Sequence, residues 1–248
     1  MDSTGALELK EIPESLLVVG GGYIGLEMGM VYASLGSRVT LLQSHERLLP
    51  PVDADLVKVL SKQIEPLFEA IHYNTRATAM SEEQESVRVT IEGNEESREE
   101  QFDRVLVAIG RQPNSDNLGL EKIGVKTDKH GAIVISEQCR TSVDHIYAVG
   151  DVAGGMLLAH KAMYEGKVAA EVIAGKPAAA DARAIPAVVY TEPQVAWCGL
   201  GEQEAGDGVR IVQYPWRANG RALTLDAEYG LSKMLLEEDL SLIHISEP

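Results

Sequence analysis

The stretch Leu16-Leu17-Val18-Val19-Gly20-Gly21-Gly22-Tyr23-Ile24-Gly25 decides how this chain folds. Leu16 to Val19 is an apolar, β-branched run of the kind that forms a buried strand. Over residues 22–35 the apolar positions follow helical spacing, and Gly36 closes the run. Strand, glycine turn and helix together are the context in which G-x-G-x-x-G reads as a dinucleotide site. Gly20 allows the tight turn, Gly22 lets the backbone approach a pyrophosphate, and Gly25 lets the helix pack close to the strand. Gly20, Gly21, Gly22, Tyr23 and Ile24 are therefore expected to wrap the pyrophosphate of a dinucleotide through backbone N–H groups, aided by the positive end of the helix.

Working outward, Ser37-Arg38-Val39-Thr40-Leu41-Leu42-Gln43 reads as a second strand, completing a βαβ unit over 16–43. Its end is the place for the ribose ligand. An acidic residue is expected roughly 20 residues beyond the glycines, and Gln43 stands there instead. An amide can still accept a hydrogen bond from the ribose, but it lacks the charge that repels a 2′-phosphate.

Composition narrows the function classes. The chain has 248 residues, 45% hydrophobic, enough for a real core and for one large or two modest domains. The net charge of −16 disfavours a nucleic-acid partner. No apolar stretch approaches the roughly 20 residues needed to span a bilayer, and no membrane role is expected. The two cysteines, Cys139 and Cys198, are far apart and in no ligand spacing. They point to a reducing, cytoplasmic setting and to no metal site or redox pair among the residues given.

Asp53-Ala54-Asp55 gives an acidic, capped start to a helix through about Glu65, and Pro66 disturbs its last turn. Strands are expected at 70–78, 86–91, 104–110 and 131–135. The acidic cluster Glu82, Glu83, Glu85, Glu92, Glu95, Glu96, Glu99 and Glu100 reads as a solvated hairpin, since its carboxylates have no fixed spacing. Gly110-Arg111-Gln112-Pro113-Asn114 follows the 104–110 strand as a loop at the carboxyl edge of a sheet, where α/β proteins hold ligands. Residues 157–174 read as a helix closed by Gly175 and Pro177. Beyond Asp181 short β-like runs follow at 185–190, 195–199, 210–216 and 229–236.

Five segments in order, DSTGAL, GGGYIGLEMG, VLVAIGRQPN, HIYAVGDVAGGMLLAHKA and YTEPQVAWCGL, resemble the pyridine nucleotide–disulfide oxidoreductases. Within that family the DSTGAL and LAHKA pieces resemble the dihydrolipoamide dehydrogenase branch more than glutathione or mercuric reductases. The resemblance covers residues 1–239. It implies an α/β fold: a Rossmann-like NAD-binding domain, a βαβ sheet with a β-meander, inserted in an FAD-binding domain, plus the start of an α+β interface domain. Mapped onto this chain, 1–13 lead out of a truncated FAD domain and 14–137 form the NAD-binding domain. Residues 138–181 return to the FAD domain, and 182–239 open the dimer-interface domain. Residues 240–248, Leu240-Ser241-Leu242-Ile243-His244-Ile245-Ser246-Glu247-Pro248, resemble the translation of a sequencing-library adapter and are set aside.

The resemblance also implies roles. Glu27 would face the nicotinamide amide. Tyr23 has two readings, an aromatic near the nicotinamide pocket or ordinary packing on the helix face. Arg76 and Gly110 fall where relatives touch the adenine and nicotinamide sides through backbone atoms, and the Arg76 side chain has solvation as its bland alternative. Relatives that use NADP carry arginines at the positions of Ser44 and Pro50, so NAD is favoured here. Asp151, read as ending a buried strand, would hydrogen-bond the FAD ribityl chain. Leu157, Leu158, Ala159 and His160 would open a helix whose N-terminus stabilises negative charge on the reduced flavin.

The activity implied for the parent is oxidation of dihydrolipoamide with NAD through a redox disulfide and FAD. Its partners would be a second copy and a lipoyl domain of a 2-oxoacid dehydrogenase or related complex. The family's redox cysteines and its His-Glu pair have no counterpart in this sequence, so no residue here is read as catalytic and the chain is expected not to turn over alone. Cys139 and Cys198 are read as core fillers. Two alternatives stand: a glutathione- or mercuric-type NAD(P)H reductase, and a nucleotide-binding module without chemistry.

Overall fold

A computed structural model describes residues 1–93 and 96–237. The expected adapter-like tail at 240–248, and Glu95 of the acidic cluster, lie outside the described residues. The chain divides into two compact units, one made of Met1–Gly110 with Val188–Pro248 and the other of Arg111–Ala187.

In the first unit, α1 (Ser3–Glu8) precedes β1 (Ser15–Val19), α2 (Tyr23–Ser34), β2 (Arg38–Leu42), α3 (Ala54–Ile64) and β3 (Ala70–His72). An antiparallel excursion follows, β4 (Thr75–Glu82), β5 (Val87–Gly93) and β6 (Glu96–Phe102), before β7 (Arg104–Val107) rejoins the first sheet. That sheet is parallel and ordered β3-β2-β1-β7, with Leu17 opposite Thr40 on one side and Val105 on the other.

The pleat sorts β1 between two cores. Leu16 and Val18 pack with Leu26, Met30, Val57 and Leu60 of the two helices. Leu17 and Val19 point the other way, onto Val89, Ile91 and Phe102 of the antiparallel excursion. Successive strand residues face opposite sides, so a strand buried on both must be apolar throughout. That is why the Leu16–Val19 run shows no alternation.

The 70–78 strand expected from sequence is two strands, because Asn74 at φ +52 turns the chain between them. The acidic region holds a full third strand, β6, that the charged sequence Glu-Ser-Arg-Glu-Glu-Gln concealed. Glu83 and Glu99 pair with Arg88, and Glu100 pairs with Arg98.

In the second unit, α4 (Leu120–Ile123) and α5 (Ala159–Ile173) are the helices. The strand expected at 131–135 is not formed; the segment makes only an isolated bridge, Ile133 to Thr127. Gly131 at φ +86 bends it, and Asp128 takes its hydrogen bonds in a turn. Two small cores organise this unit. Val125, Ile133 and Ala148 form one, and Cys139, Val168, Ala169 and Val172 form the other. Ile135 borders both.

The first unit resumes with β8 (Ala187–Val189) and β9 (Val195–Trp197), paired as one ribbon, then β10 (Val209–Pro215), α6 (Gly220–Leu223) and β11 (Leu231–Glu237). The β10–β11 ribbon is antiparallel. Cys139 is fully buried, but Cys198 is exposed, so the expectation that both cysteines fill cores is corrected for Cys198. It follows β9, at the end of a two-stranded ribbon.

Candidate functional site

Sheet order reverses direction at β1, whose neighbours are β2 and β7, and ligands of open α/β sheets bind at the carboxyl edge of such a switch. Gly20 sits there at φ +113, donating its N–H to Leu42 O at 2.9 Å. A Cβ on Gly20 would lie 2.4 Å from the Ala108 carbonyl oxygen, and one on Gly25 would lie 1.9 Å from the Gly20 carbonyl oxygen. The two close approaches let α2 start directly on the turn. Gly22, by contrast, has open space around it and serves as N-cap without a side-chain partner for α2. The first-turn N–H groups of α2 have no intrahelical acceptor. Open space over Gly22 beside an uncapped 12-residue helix fits a dinucleotide pyrophosphate.

Gln43 is brought to this elbow, and it is buried. Its Oε1 accepts from Gly21 N–H at 3.3 Å and its Nε2 donates to Arg47 O at 2.8 Å. The guanidinium of Arg47 is in turn bound to the carbonyls of Val52 and Pro50. Leu49 N–H closes the loop onto Gly21 O at 3.0 Å.

Tyr23 is half-buried and packs against the helix-side core. Glu27, one turn along α2, accepts a 2.8 Å hydrogen bond on Oε1 from the Tyr190 N–H after β8. Gly110, at φ +154 and with open space for a Cβ, lies two residues beyond the Ala108 that Gly20 touches. Arg76 lies on β4 opposite Glu92, exposed and in a different sheet from the glycine elbow.

The remaining expected residues lie in the second unit. Asp151 does not end a strand. It sits in a single 3₁₀ turn, Gly150–Ala153, because Gly150 at φ +76 and Gly154 at φ +73 break the extended backbone on both sides. Its carboxylate pairs with Arg111 at 2.5 Å. Leu158 caps α5 with no side-chain hydrogen bond, so the first-turn N–H groups at Ala159 and His160 are left without a capping side chain. The His160 ring donates Nε2–H to Pro186 O at 2.5 Å, the tautomer fixed by a carbonyl that can only accept.

Two residues the sequence reading passed over hold the Asp151 turn. Glu165 Oε2 accepts from Gly150 N–H at 2.7 Å, and Lys161 Nζ donates to Gly154 O at 2.9 Å. Lys161 and Glu165 pair with one another at 2.7 Å. Their signal was present: they share the buried stripe of α5 with Val168, Ala169 and Val172, at helical spacing. Charged residues on such a stripe require partners.

Among the described residues, Asp53, Asp55 and Glu202 form a carboxylate trio with ligand atoms within 4.8 Å of one another. Lys233, its side chain 2% exposed, puts its ammonium among them, 2.9 Å from Asp53 and from Asp55 and also paired with Glu202. Burial works to lower the Lys233 pKa, but hydrogen bonds to Glu202, Asp53 and Asp55 outweigh it and hold the group well above the ordinary lysine value. The trio is answered by a lysine and stitches β11 to the start of α3.

A family model, "Pyridine nucleotide-disulphide oxidoreductase", matches residues 1–166, and the dimerisation-domain model of the same family matches 185–243. The chain belongs to the pyridine nucleotide-disulphide oxidoreductases. Within this family it is 46% identical over 242 residues to dihydrolipoyl dehydrogenase of Vibrio parahaemolyticus, covering 96% of this chain and 51% of the relative. It is 45% identical over 246 residues to dihydrolipoyl dehydrogenase of Geobacillus stearothermophilus, covering 98% and 52%. The chain thus spans about half the length of the curated relatives it matches. Among solved structures, the HOCl-induced flavoprotein disulfide reductase RclA of Escherichia coli superposes with a TM-score of 0.85 at 28% identity, over 96% of this chain and 55% of that one. LpdA of Mycobacterium tuberculosis superposes with a TM-score of 0.84 at 30% identity, over 94% and 51%. The mixed α/β architecture is that of this family. Among the described residues no helix is long and apolar enough to cross a membrane.

Proposed function

We propose that this chain is the NAD-binding portion, with part of the FAD-binding portion, of a flavin-dependent dihydrolipoamide dehydrogenase that converts dihydrolipoamide and NAD to lipoamide and NADH. The observation that carries the reading is the Gly20–Gly25 elbow, in a chain so similar along its length to dihydrolipoyl dehydrogenases. The backbone of Gly20 to Ile24 would hold the pyrophosphate. Glu27, oriented through Oε1 by Tyr190 N–H, would accept from the nicotinamide amide on its other oxygen. Gly110 and the backbone at Arg76 would border the nicotinamide and adenine.

Asp151 would accept hydrogen bonds from the ribityl hydroxyls, its turn held by Lys161 and Glu165. The α5 N-terminus, Leu157 to His160, would stabilise negative charge on the reduced ring. When bound, FAD supplies the relay of an electron pair between a dithiol and NAD. In this reading 14–137 is the NAD-binding domain, 138–181 belongs to the FAD domain, and 182–239 begins a dimer interface. A second copy and a lipoyl domain of a 2-oxoacid dehydrogenase complex are the partners, in the cytoplasm, in keeping with two free thiols.

A chimera tests the activity. Residues 1–237 replace the matching half of the Geobacillus stearothermophilus enzyme, and the chimera is expected to retain lipoamide-dependent NAD reduction. A chimera that folds and binds FAD but does not reduce NAD overturns the assignment.

A further inference from the structure

We propose that the adenosine-ribose end of this site carries no fixed charge of either sign, with Gln43 as the residue that sets this, so that the chain binds NADH and NADPH with similar affinity. The inference rests on the dinucleotide reading above and deepens it. In glycine-elbow folds a carboxylate at the end of the second strand selects NAD by binding the ribose hydroxyl, and an arginine nearby selects the 2′-phosphate. Position 43, at the end of β2, is that place, beside Gly21 of the elbow.

Neither selector is present. Gln43 is neutral and 4% exposed, locked by bonds from Gly21 N–H and to Arg47 O, so it presents no anion to a phosphate. The one arginine of the loop, Arg47, is nominally within reach, but its guanidinium is committed to the carbonyls of Val52 and Pro50. Turning it toward a phosphate would break both bonds and strip two carbonyls of their donor. Ser44 Oγ lies 3.1 Å from His45 Nδ1, within hydrogen-bond distance, and Pro50 has no donor to offer. The only acid of residues 43–52, Glu46, is exposed, where water and salt screen it. The sequence alone favours NAD because no arginine clamp is visible. The side-chain geometry shows that the opposite charge is missing as well.

The test is calorimetric titration of the 248-residue chain with NADH and with NADPH at 0.15 M salt. The expected ratio of Kd values is less than tenfold in either direction, and tenfold or more in either direction overturns the inference. Failure of both nucleotides to bind overturns the dinucleotide reading itself and the inference with it, a result distinct from strong selectivity. Gln43→Glu is expected to shift the ratio at least tenfold against NADPH, because a carboxylate would face the phosphate; an unchanged ratio removes Gln43 as the determinant. Arg47→Ala is expected to leave the ratio within threefold, whereas selective loss of NADPH binding would make Arg47 a phosphate ligand and overturn the proposal. Should either variant fail to fold, the wild-type ratio still decides.

Discussion

Lys161 and Glu165 meet at 2.7 Å, one turn apart on α5, each side chain 9% exposed. Glu165 holds the N–H of Gly150 and Lys161 holds the carbonyl of Gly154, so one ion pair grips both ends of the turn that carries Asp151. The glycines cannot be replaced there without contact: a Cβ on Gly150 would lie 2.9 Å from Ala162 Cβ, and one on Gly154 would lie 2.9 Å from Ala132 Cβ. The turn is fixed by close packing from both sides and by charge from below.

Removing one partner should be costly. Glu165→Ala leaves a buried ammonium without a counter-ion and an orphaned Gly150 N–H, and is expected to lose about 3–5 kcal/mol. Glu165→Gln keeps an acceptor for Gly150 and should lose less. Urea unfolding monitored by circular dichroism measures both, and a loss under about 1 kcal/mol for the alanine variant would show that the turn does not depend on the pair.

Lys233 ties β11 to Asp53 and Asp55 in the same way. Its folded pKa is raised above the unfolded value, so its contribution is fully present below about pH 10.4 and is lost as pH rises through the folded value. Lys233→Met is expected to lose about 3 kcal/mol, a difference from wild type that stays level from pH 7 to about 10 and shrinks above that. A difference that already disappears near pH 8 would contradict the raised value.

Gly22 and Gly25 separate ligand binding from folding. Gly22 has extended backbone at φ −82 and open space for a Cβ, so Gly22→Ala should change stability by less than about 0.5 kcal/mol while weakening NADH binding where the pyrophosphate approaches. Gly25→Ala drives a methyl into the Gly20 carbonyl and should cost at least about 1–3 kcal/mol. Thermal melts and NADH titration of the two variants check this, and equal loss of stability in both would refute it.

His72 should lend acid sensitivity. Burial, and secondly the Arg98 charge, lower its pKa against an opposing pull from Glu100. The folded state therefore binds fewer protons than the unfolded chain just below about pH 6.5, and stability falls as pH drops from there to the folded value. His72→Gln is expected to flatten that portion of the profile. An unchanged slope between pH 7 and 5 would mean another group carries it.

Much of the nucleotide half was legible in the chain. An apolar run feeding three glycines and a helix has one compact solution, and Gly20 and Gly25 each lie where a Cβ would collide with backbone. Helix α3 was readable in its extent, but Asp53 does not cap it with its side chain: the carboxylate is spent on Lys233 and on the Glu202 N–H. The strand β6 was not, because exposed Glu and Arg dominate its face and its pairing comes from neighbours distant in sequence. The Asp151 turn was misread as a strand end for a related reason: Tyr147-Ala148-Val149 has strand composition, but the chain pairs only once, at Arg140 and Tyr147, before Gly150 turns it.

Sequence by itself determined the βαβ core and its glycine elbow, since local spacing, backbone freedom at glycine and the apolar run all act within a few residues of one another. Only the tertiary structure decided where the side chains of Gln43, Arg47, Lys161, Glu165 and Lys233 spend their hydrogen bonds and charge. Gln43–Arg47, Lys161–Glu165 and the Arg47 carbonyl contacts are close in sequence, but Gly21 N–H for Gln43, Gly150 N–H for Glu165 and Asp53 for Lys233 are brought near by folding, and no local spacing encodes those meetings. Which atom a buried polar group faces depends on every element packed around it, so that choice is made by the assembled fold.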